Sequence, residues 1–492
     1  MGAPSDSRQG KRRDRGWLRA LERRFVTLLG GRRAAKGADV SISLVVPCYN
    51  VAHYIDQFLE TVVGQSNGLA GLQVILVDDG STDETPAKAS MWAGKYPDAI
   101  EYCHQSNAGV SGARNTGLER ARGDWVSFPD PDDLLADDYL DRVRQHIWEQ
   151  GEDNTAIVAC KIVMLHEQTG LILDDHVLTY RFKNGVVVQT VADLSFVQLQ
   201  VNSAFYQRKR LLEWGLQFDT QLKPGFEDAL LANRYLIRSR PEQRVVFAAD
   251  AVYTYRKRAS ADSLQDLAGT KPEFWTSQPK GWLHLLEDAN RQLGAIPPFV
   301  GRVVLYNMKG HLRVLLDEAQ SAKLSSELKR SFEGTLDQVV ALLGEDAIRR
   351  GAPAFRHRMQ VGLLNRYSLG TMPEAVVYLV DWQVANQVAT LEWYSGSKQP
   401  EFSAVVNDAE SAWVGAEVED CPILGTTFYY RHTACVGVAG QLRVLDQRGA
   451  AVRLRGLHDA KDSRSVTAEE LDQWARRRGM DADTAALALT RG

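Results

Sequence analysis

The stretch VILVDDGSTDET, residues 74–85, decides how this chain is read. Four apolar residues run straight into two adjacent aspartates, a glycine and a Ser/Thr/Asp-rich turn, after which a helical pattern begins. An unbroken apolar run of this length fits a strand buried on both faces, and the polar turn before a helix makes it a β–α unit. Working outward, VVPCYN (45–50) closes an earlier apolar run, and NAGVSGARNTGL (107–118) reads as a loop entering a helix. WVSFPDPDD (125–133) closes a later strand in a cluster of carboxylates. The spacing predicts strands over 72–77, 100–104 and 124–128, and helices over 51–64, 82–95 and 112–121, with Pro86 in the first turn of the second helix. Strands alternating with helices imply a mostly parallel α/β sheet, whose ligands gather at the carboxyl ends of its strands. The polar clusters at 47–50, 78–83 and 130–133 fall at those ends.

Two common phosphate-binding designs are excluded. A dinucleotide fold needs GxGxxG after its first strand, where this chain has Pro47-Cys48-Tyr49-Asn50; GxxxxGK[ST] is absent. What remains is acidic. Carboxylates repel a diphosphate directly but hold it through Mg²⁺ or Mn²⁺, which takes oxygen ligands from one or two carboxylates plus phosphate. An isolated Asp130-Pro131-Asp132-Asp133 is more often a turn or helix cap; its company changes that reading.

Taken in order, the four stretches resemble the successive motifs of family 2 glycosyltransferases with the GT-A fold, over residues 41–260. The fourth departs from the commoner LDSDD through Pro129 and Pro131, which stiffen the loop without removing a carboxylate. The resemblance implies that Pro47 and Tyr49 line a nucleotide base and that Asp79 accepts from uracil N3–H. It implies that Asn107 and Arg114 close over base and ribose and fix the acidic loop. Asp130 would then meet the ribose or the metal, and Asp132 would bind Mn²⁺ or Mg²⁺. Downstream, FEDALLANRYL (226–236) resembles the family's ED motif at a helix start. An inverting transfer needs a carboxylate to take the acceptor's proton. Asp228 is the candidate base, with Glu227 positioning it or the acceptor, and the helix terminus is expected to lower the pKa of Asp228. The plain alternative is that both are first-turn caps. Arg256 and Arg258, after a strand expected near 245–248, resemble residues that close over the departing diphosphate; Ser260 and Ser263 are weaker phosphate donors. A helix is expected over 191–200, and Arg208-Lys209-Arg210 reads as a solvated face.

The rest of the 492 residues organises around this core. Residues 1–40 form an arm in which the first 36 positions hold 11 Lys/Arg against Asp6, Asp14 and Glu22, a net +8 in a chain of net −4. Trp17, Leu18, Leu21, Phe25, Leu28 and Leu29 recur there near helical spacing. Arginines interrupt them, so residues 11–36 read as a membrane-surface helix rather than a signal peptide, with a solvated or packed helix as the plainer alternative. A catalytic domain is expected over 41–264, a helical region over 265–371, a β-sandwich-like module over 372–458 and a helical tail over 459–492. Trp393, Trp413 and Tyr429 read as core before they read as a sugar-stacking surface. The acidic balance argues against nucleic-acid binding, and the five cysteines form no CxxC, which favours a reducing, cytoplasmic setting. This layout resembles bacterial enzymes that decorate teichoic acids or similar surface polymers. It implies a UDP-sugar donor of hexosyl or N-acetylhexosaminyl type and a carbohydrate or polyol-phosphate acceptor; the arm over 11–36 adds a peripheral place at the inner face of the membrane, and a second copy of the chain is a further candidate partner. The alternatives are an inactive scaffold of the same fold, or a nucleotidyltransferase, which lacks its basic Gly-rich loop here.

Overall fold

The computed structural model describes residues 37–259 and 272–477, apart from 38, 224, 353–354, 371–372, 400–401 and 457–461. The basic arm, Ser260, Ser263 and the chain beyond 477 therefore lie outside the described residues. Two compact units form, Met1–Gly281 and Trp282–Gly492.

In the first unit, β1 (Ile42–Cys48), α1 (Ile55–Val63), β2 (Leu72–Asp78), α2 (Thr85–Lys95), β3 (Ile100–His104), α3 (Gly109–Arg120) and β4 (Trp125–Ser127) alternate as the pattern requires. Every residue of β1 and β2 is buried, the signature of central strands covered on both faces. Ile55, Phe58, Leu59 and Val62 of α1 make one apolar stripe against them. Helix α3 comes closer still: a Cβ on Gly117 would stand 2.2 Å from Val45 Cγ1, so no other residue fits without displacing the strand. The chain continues through β5 (Leu134–Leu135), α4 (Tyr139–Gln150), β6 (Thr155–His166), β7 (Leu171–Leu173), β8 (Val187–Thr190), β9 (Ala204–Gln207), α5 (Arg208–Glu213), α6 (Glu227–Arg238) and β10 (Arg244–Lys257).

These strands form one sheet in the order β3-β2-β1-β4-β9-β6-β10-β5, with β7 on β6 and β8 on β10. It is mixed, and its longest ladders are parallel. The first four strands are parallel, but β9 runs antiparallel to both β4 and β6, and β5, β7 and β8 add antiparallel edges. The helix expected over 191–200 does not form. The Ser195 N–H, which a helix would point at Val191 O, donates instead to Gln189 Oε1, and Gln189 Nε2 donates to Ser195 Oγ; Arg181 Nη1 and Asn233 Nδ2 anchor the far end of the segment through the Val197 and Gln198 carbonyls. The strand expected near 245–248 runs much further, to Lys257, because β6 pairs along its length. Arg208 and Arg210 are not a solvated face; they donate to carbonyls of Gly123, Thr155 and Asp153, leaving Lys209 exposed.

Helix α7 (Ser277–Leu293) is followed in the second unit by α8 (Pro298–Leu315), α9 (Ser326–Arg350) and α10 (His357–Arg366). Pro298 occupies the first turn of α8, where its missing N–H costs nothing. Trp282, His311 and Phe332 pack ring to ring between these helices. Strands β11 (Val376–Gln383), β12 (Val388–Ser395), β13 (Phe402–Val406), β14 (Ala409–Ser411), β15 (Val414–Ile423), β16 (Thr426–Gly437), β17 (Gln441–Asp446), β18 (Arg453–Gly456), β19 (Asp462–Ser463) and β20 (Val466–Thr467) build two sheets. Their orders are β15-β16-β12-β11-β18-β19 and β14-β13-β17-β20, and residues from both share one apolar core. Trp393 and Tyr429 are buried and Trp413 packs against that core, so these aromatics are structural. Helix α11 (Ala468–Arg477) opens on the expected capping box, with Glu470 N donating to Thr467 Oγ1 and Thr467 N to Glu470 Oε2. Among the described residues no helix is long and apolar enough to cross a membrane.

Candidate active site

The turns after β1 and β2 are laced together. Asn50 takes a left-handed conformation (φ 52°) and accepts from Thr82 N, while its own N–H donates to Ser81 Oγ. The N–H groups of Val51 and Ala52 donate to Thr85 Oγ1 and Asp83 Oδ2. The Ser-Thr-Asp segment thus satisfies the backbone of the neighbouring loop. Pro47 is buried in β1 opposite Val77, so it lines no open surface; Tyr49 beside it is half exposed. Asp78 is fully buried and pairs with Ser81 N, Tyr102 Oη and His104 Nδ1. Burial alone would raise its pKa, but these hydrogen bonds outweigh it and hold the carboxyl below the usual range.

Asp79 caps α3 from outside the helix. Its Oδ1 accepts from Gln105 Nε2 and Ala108 N, both at 2.7 Å, and its Oδ2 from Gly109 N at 2.8 Å. The Ala108 and Gly109 N–H groups are ones that a helix start leaves without internal partners. Asn107 is exposed, packed on the Gly80 turn. Gly109 is left-handed, and a Cβ there would stand 2.5 Å from Lys223 Nζ, which reaches over from the chain before α6 toward Ala108 O. Sequence reading missed Lys223, since no motif marks a lone lysine 115 residues from its contact.

The carboxylates meet beneath this rim. Arg114 on α3 is 4% exposed and bridges two loops, with Nη1 2.7 Å from Asp228 Oδ1 and Nη2 3.0 Å from Asp130 Oδ1. Its guanidinium also rests on the Phe218 ring. Asn202 Nδ2 donates to Asp130 Oδ2 at 3.2 Å, a second residue without a sequence signal. Asp133, buried, accepts from Tyr253 Oη at 2.6 Å and Arg256 N at 2.8 Å. Asp132 Oδ2 accepts from Arg258 Nε at 2.9 Å, and the Asp132 carbonyl from Arg256 Nε at 2.6 Å. The long β10 is what brings Tyr253, Arg256 and Arg258 to the acidic loop. At the start of α6, Phe226 is left-handed (φ 78°), a strained setting for a bulky residue, and Glu227 Oε2 is buried without a hydrogen-bond partner.

Burial dominates the electrostatics. It raises the pKa of Asp132, helped by the charge of Asp130 and relieved by Arg258, and it raises Asp133 well above the usual range, helped by both neighbours. Glu227 is pushed up to about 7 by burial and then by the Asp228 charge, against the pull of Arg114. Asp228 is also raised, contrary to the lowering expected at a helix start, because desolvation exceeds the help of Arg114. Burial disfavours the Arg114 charge, but Asp228, Asp130 and Glu227 more than compensate, and it stays protonated.

Among the described residues, no three His, Cys, Asp or Glu side chains converge into a preformed metal cage. A Mg²⁺ or Mn²⁺ that shares its ligands with phosphate needs only one or two carboxylates. Asp130 and Asp132 fit that role. They stand at a strand end, their mutual repulsion raises Asp132, and a divalent cation would relieve it.

Comparison with known proteins agrees with this geometry. Residues 43–169 match the model for "Glycosyl transferase family 2". The chain carries a family 2 glycosyl transferase domain. The minor teichoic acid biosynthesis proteins GgaB and GgaA of Bacillus subtilis (strain 168) are 28% and 27% identical over 314 and 312 residues, 64% and 62% of this chain. The match spans 33% of GgaB and 68% of GgaA. Among solved structures, S. aureus TarS superposes with a TM-score of 0.53 at 15% identity, covering 85% of this chain and 79% of that one. TarS 1–349 in complex with UDP-GlcNAc gives a TM-score of 0.52 at 18% identity, over 67% of this chain and 87% of that one. This likeness extends the GT-A fold of the family 2 domain past residue 169.

Proposed function

We propose that the protein is an inverting glycosyltransferase that moves a sugar from a UDP-sugar to a hydroxyl of a cell-wall polymer of the teichoic-acid kind. The observation that carries this reading is the Arg114 bridge, which joins Asp130 of the donor-side loop to Asp228 at the start of α6. One buried cation thereby holds a donor-binding and an acceptor-binding carboxylate within reach of one reacting centre. The acceptor oxygen attacks the anomeric carbon as the bond to the diphosphate breaks, and its proton passes to Asp228. Arg114 orients Asp228 and favours its ionised form against burial, and Glu227 lies beside it as a carboxyl that exchanges its proton near neutrality. Asp130 and Asp132 would hold Mn²⁺ or Mg²⁺, which supplies charge neutralisation at the diphosphate. Tyr49 and the Asp79-capped loop with Asn107 would receive the base, and Arg256 and Arg258 flank the phosphates.

The teichoic-acid acceptor rests on the GgaA and GgaB relatives, and the UDP donor on the acidic-loop motifs and on TarS, solved with UDP-GlcNAc. The basic arm over 11–36 would hold the enzyme on anionic lipid, and a second copy of the chain is a further candidate partner. Incubation with a panel of UDP-, GDP- and CDP-sugars, with nucleoside diphosphate release as the readout, tests the donor. Release from UDP-sugars alone is expected. Release from another nucleotide class, or from none with a polyol-phosphate acceptor present, refutes the reading.

A further inference from the structure

The second unit holds a cleft of about 490 Å³ between its helical layer and the hairpin that joins β15 to β16. Leu315 at the end of α8 and Leu424 at the hairpin tip give it apolar walls, and Lys329, Arg330, Glu318 and Glu333 line it with charge. Its shape is fixed by Arg366 of α10, whose Nη1 donates to Ile423 O at 3.1 Å and whose Nη2 donates to Glu333 on α9. Hairpin and helix are thereby tied together, and the Glu333 charge is neutralised. Among the described residues Lys329 and Arg330 form no ion pair, so the lining keeps two cations against the single carboxylate of Glu318.

The hairpin tip is strained where it meets this cleft. Leu424 (φ 49°) and Gly425 (φ 77°) form the mirror-image two-residue turn that Asn-Gly fills most easily, and a leucine there occupies the left-handed region. What leucine supplies at that position, and asparagine would not, is an apolar side chain in the cleft wall. Strain of this kind is a reason to look for function.

We propose that this cleft is a second binding site, which takes a phosphodiester-linked polyol chain. This rests on the polyol-phosphate reading of the acceptor. Such a chain alternates a phosphate charge with a short run of hydroxyl-bearing carbons. Lys329 and Arg330 meet the phosphate, the arginine in the fork geometry it matches best. Glu318 accepts from polyol hydroxyls, and the C–H faces between them lie on Leu315 and Leu424. A bare phosphate would use the cations alone, and an anionic bilayer would set its own charge against Glu318. A cleft of this size takes a ligand as large as a short chain segment. Holding one stretch of the polymer raises the effective concentration of the rest, so long acceptors gain over short ones.

Calorimetry of the full chain with lipid-free poly(glycerol phosphate), beside inorganic phosphate and phosphatidylglycerol vesicles, tests this together with KM for the polymer and for a short oligomer of it. The variants are Lys329→Gln combined with Arg330→Gln, and Leu424→Asn. At low ionic strength the double variant should bind the polymer at least about tenfold more weakly, the scale of one charged hydrogen bond. Its KM for the polymer should rise to match, with kcat and transfer to the short oligomer unchanged. Leu424→Asn suits the turn, so it should melt no lower than wild type and still bind the polymer more weakly. Inorganic phosphate should bind far more weakly than the polymer. Polymer binding and KM equal to wild type in either variant overturn the site, while transfer to the polymer leaves the acceptor reading standing. Vesicle binding that the same variants lose, without polymer binding, makes this a lipid site and overturns the proposal. Neither binding of the polymer nor transfer to it by wild type overturns both.

Discussion

Asp228 and Glu227 are adjacent carboxylates whose surroundings separate their roles. Arg114 sits 2.7 Å from Asp228, whereas Glu227 Oε2 has no hydrogen-bond partner. Asp228→Asn should therefore cut the transfer rate by roughly 10²–10⁴-fold, about 3–5 kcal/mol of barrier, with UDP affinity nearly unchanged. Steady-state rates alongside UDP titration check it; since Asn also caps helices well, an active variant would make the residue a cap. Glu227 gives a stability test. Its folded pKa of about 7 lies above the ordinary 4.5, so its contribution is fully present below about pH 4.5 and lost as pH rises through 7. Asp228, Asp130 and Arg114 are the charged groups acting on it. Glu227→Gln escapes that loss, so its melting temperature should rise relative to wild type between pH 5 and 8.5, as about two pH decades are crossed. A constant difference across that range would contradict the desolvated carboxyl. The ED pair was legible in the sequence; the inversion of Asp228's pKa was not, because it depends on burial.

Among the elements, α3 connects the fold to the chemistry. Its first turn is held by Asp79, its middle packs on Val45 through Gly117, and Arg114 between them bridges the two carboxylates. Gly117→Val would force α3 away from β1. Overpacking of this kind costs about 1–3 kcal/mol or more, and the displaced Arg114 should weaken activity beyond the stability loss. Urea unfolding together with rates measured well below the transition would reveal both; a variant of wild-type stability would refute the close packing. The glycines and Asp79 stand in a quoted motif, so the element was readable. Its true start, at Gly109, was not, because Asp79 satisfies the N–H groups that would otherwise mark the helix end.

At the scale of the molecule, the first unit carries every proposed residue of the active site and the second a helical layer with a two-sheet sandwich. The net +8 of residues 1–36 and their apolar spacing lead to one further prediction. Deleting them should abolish sedimentation with anionic liposomes while donor turnover on a soluble acceptor changes less than twofold, an order-of-magnitude bound for removing a surface anchor. Liposome binding retained by the truncated protein would place the lipid contact elsewhere.

The sequence alone determined the β–α alternation, the acidic strand ends and the carboxylate pair at the start of α6, because each depends on local periodicity or on motifs a few residues long. Tertiary structure decided the rest. Strand β9 enters between β4 and β6 and makes the sheet mixed, and in residues 191–200 Gln189 takes the Ser195 N–H that a helix would need. Arg114 serves as a bridge under the site, since its partners come from 16 and 114 residues away. Neither residue type nor spacing encodes which oxygen a guanidinium will meet; that follows only when long-range packing has set the burial, the distances and the competing charges.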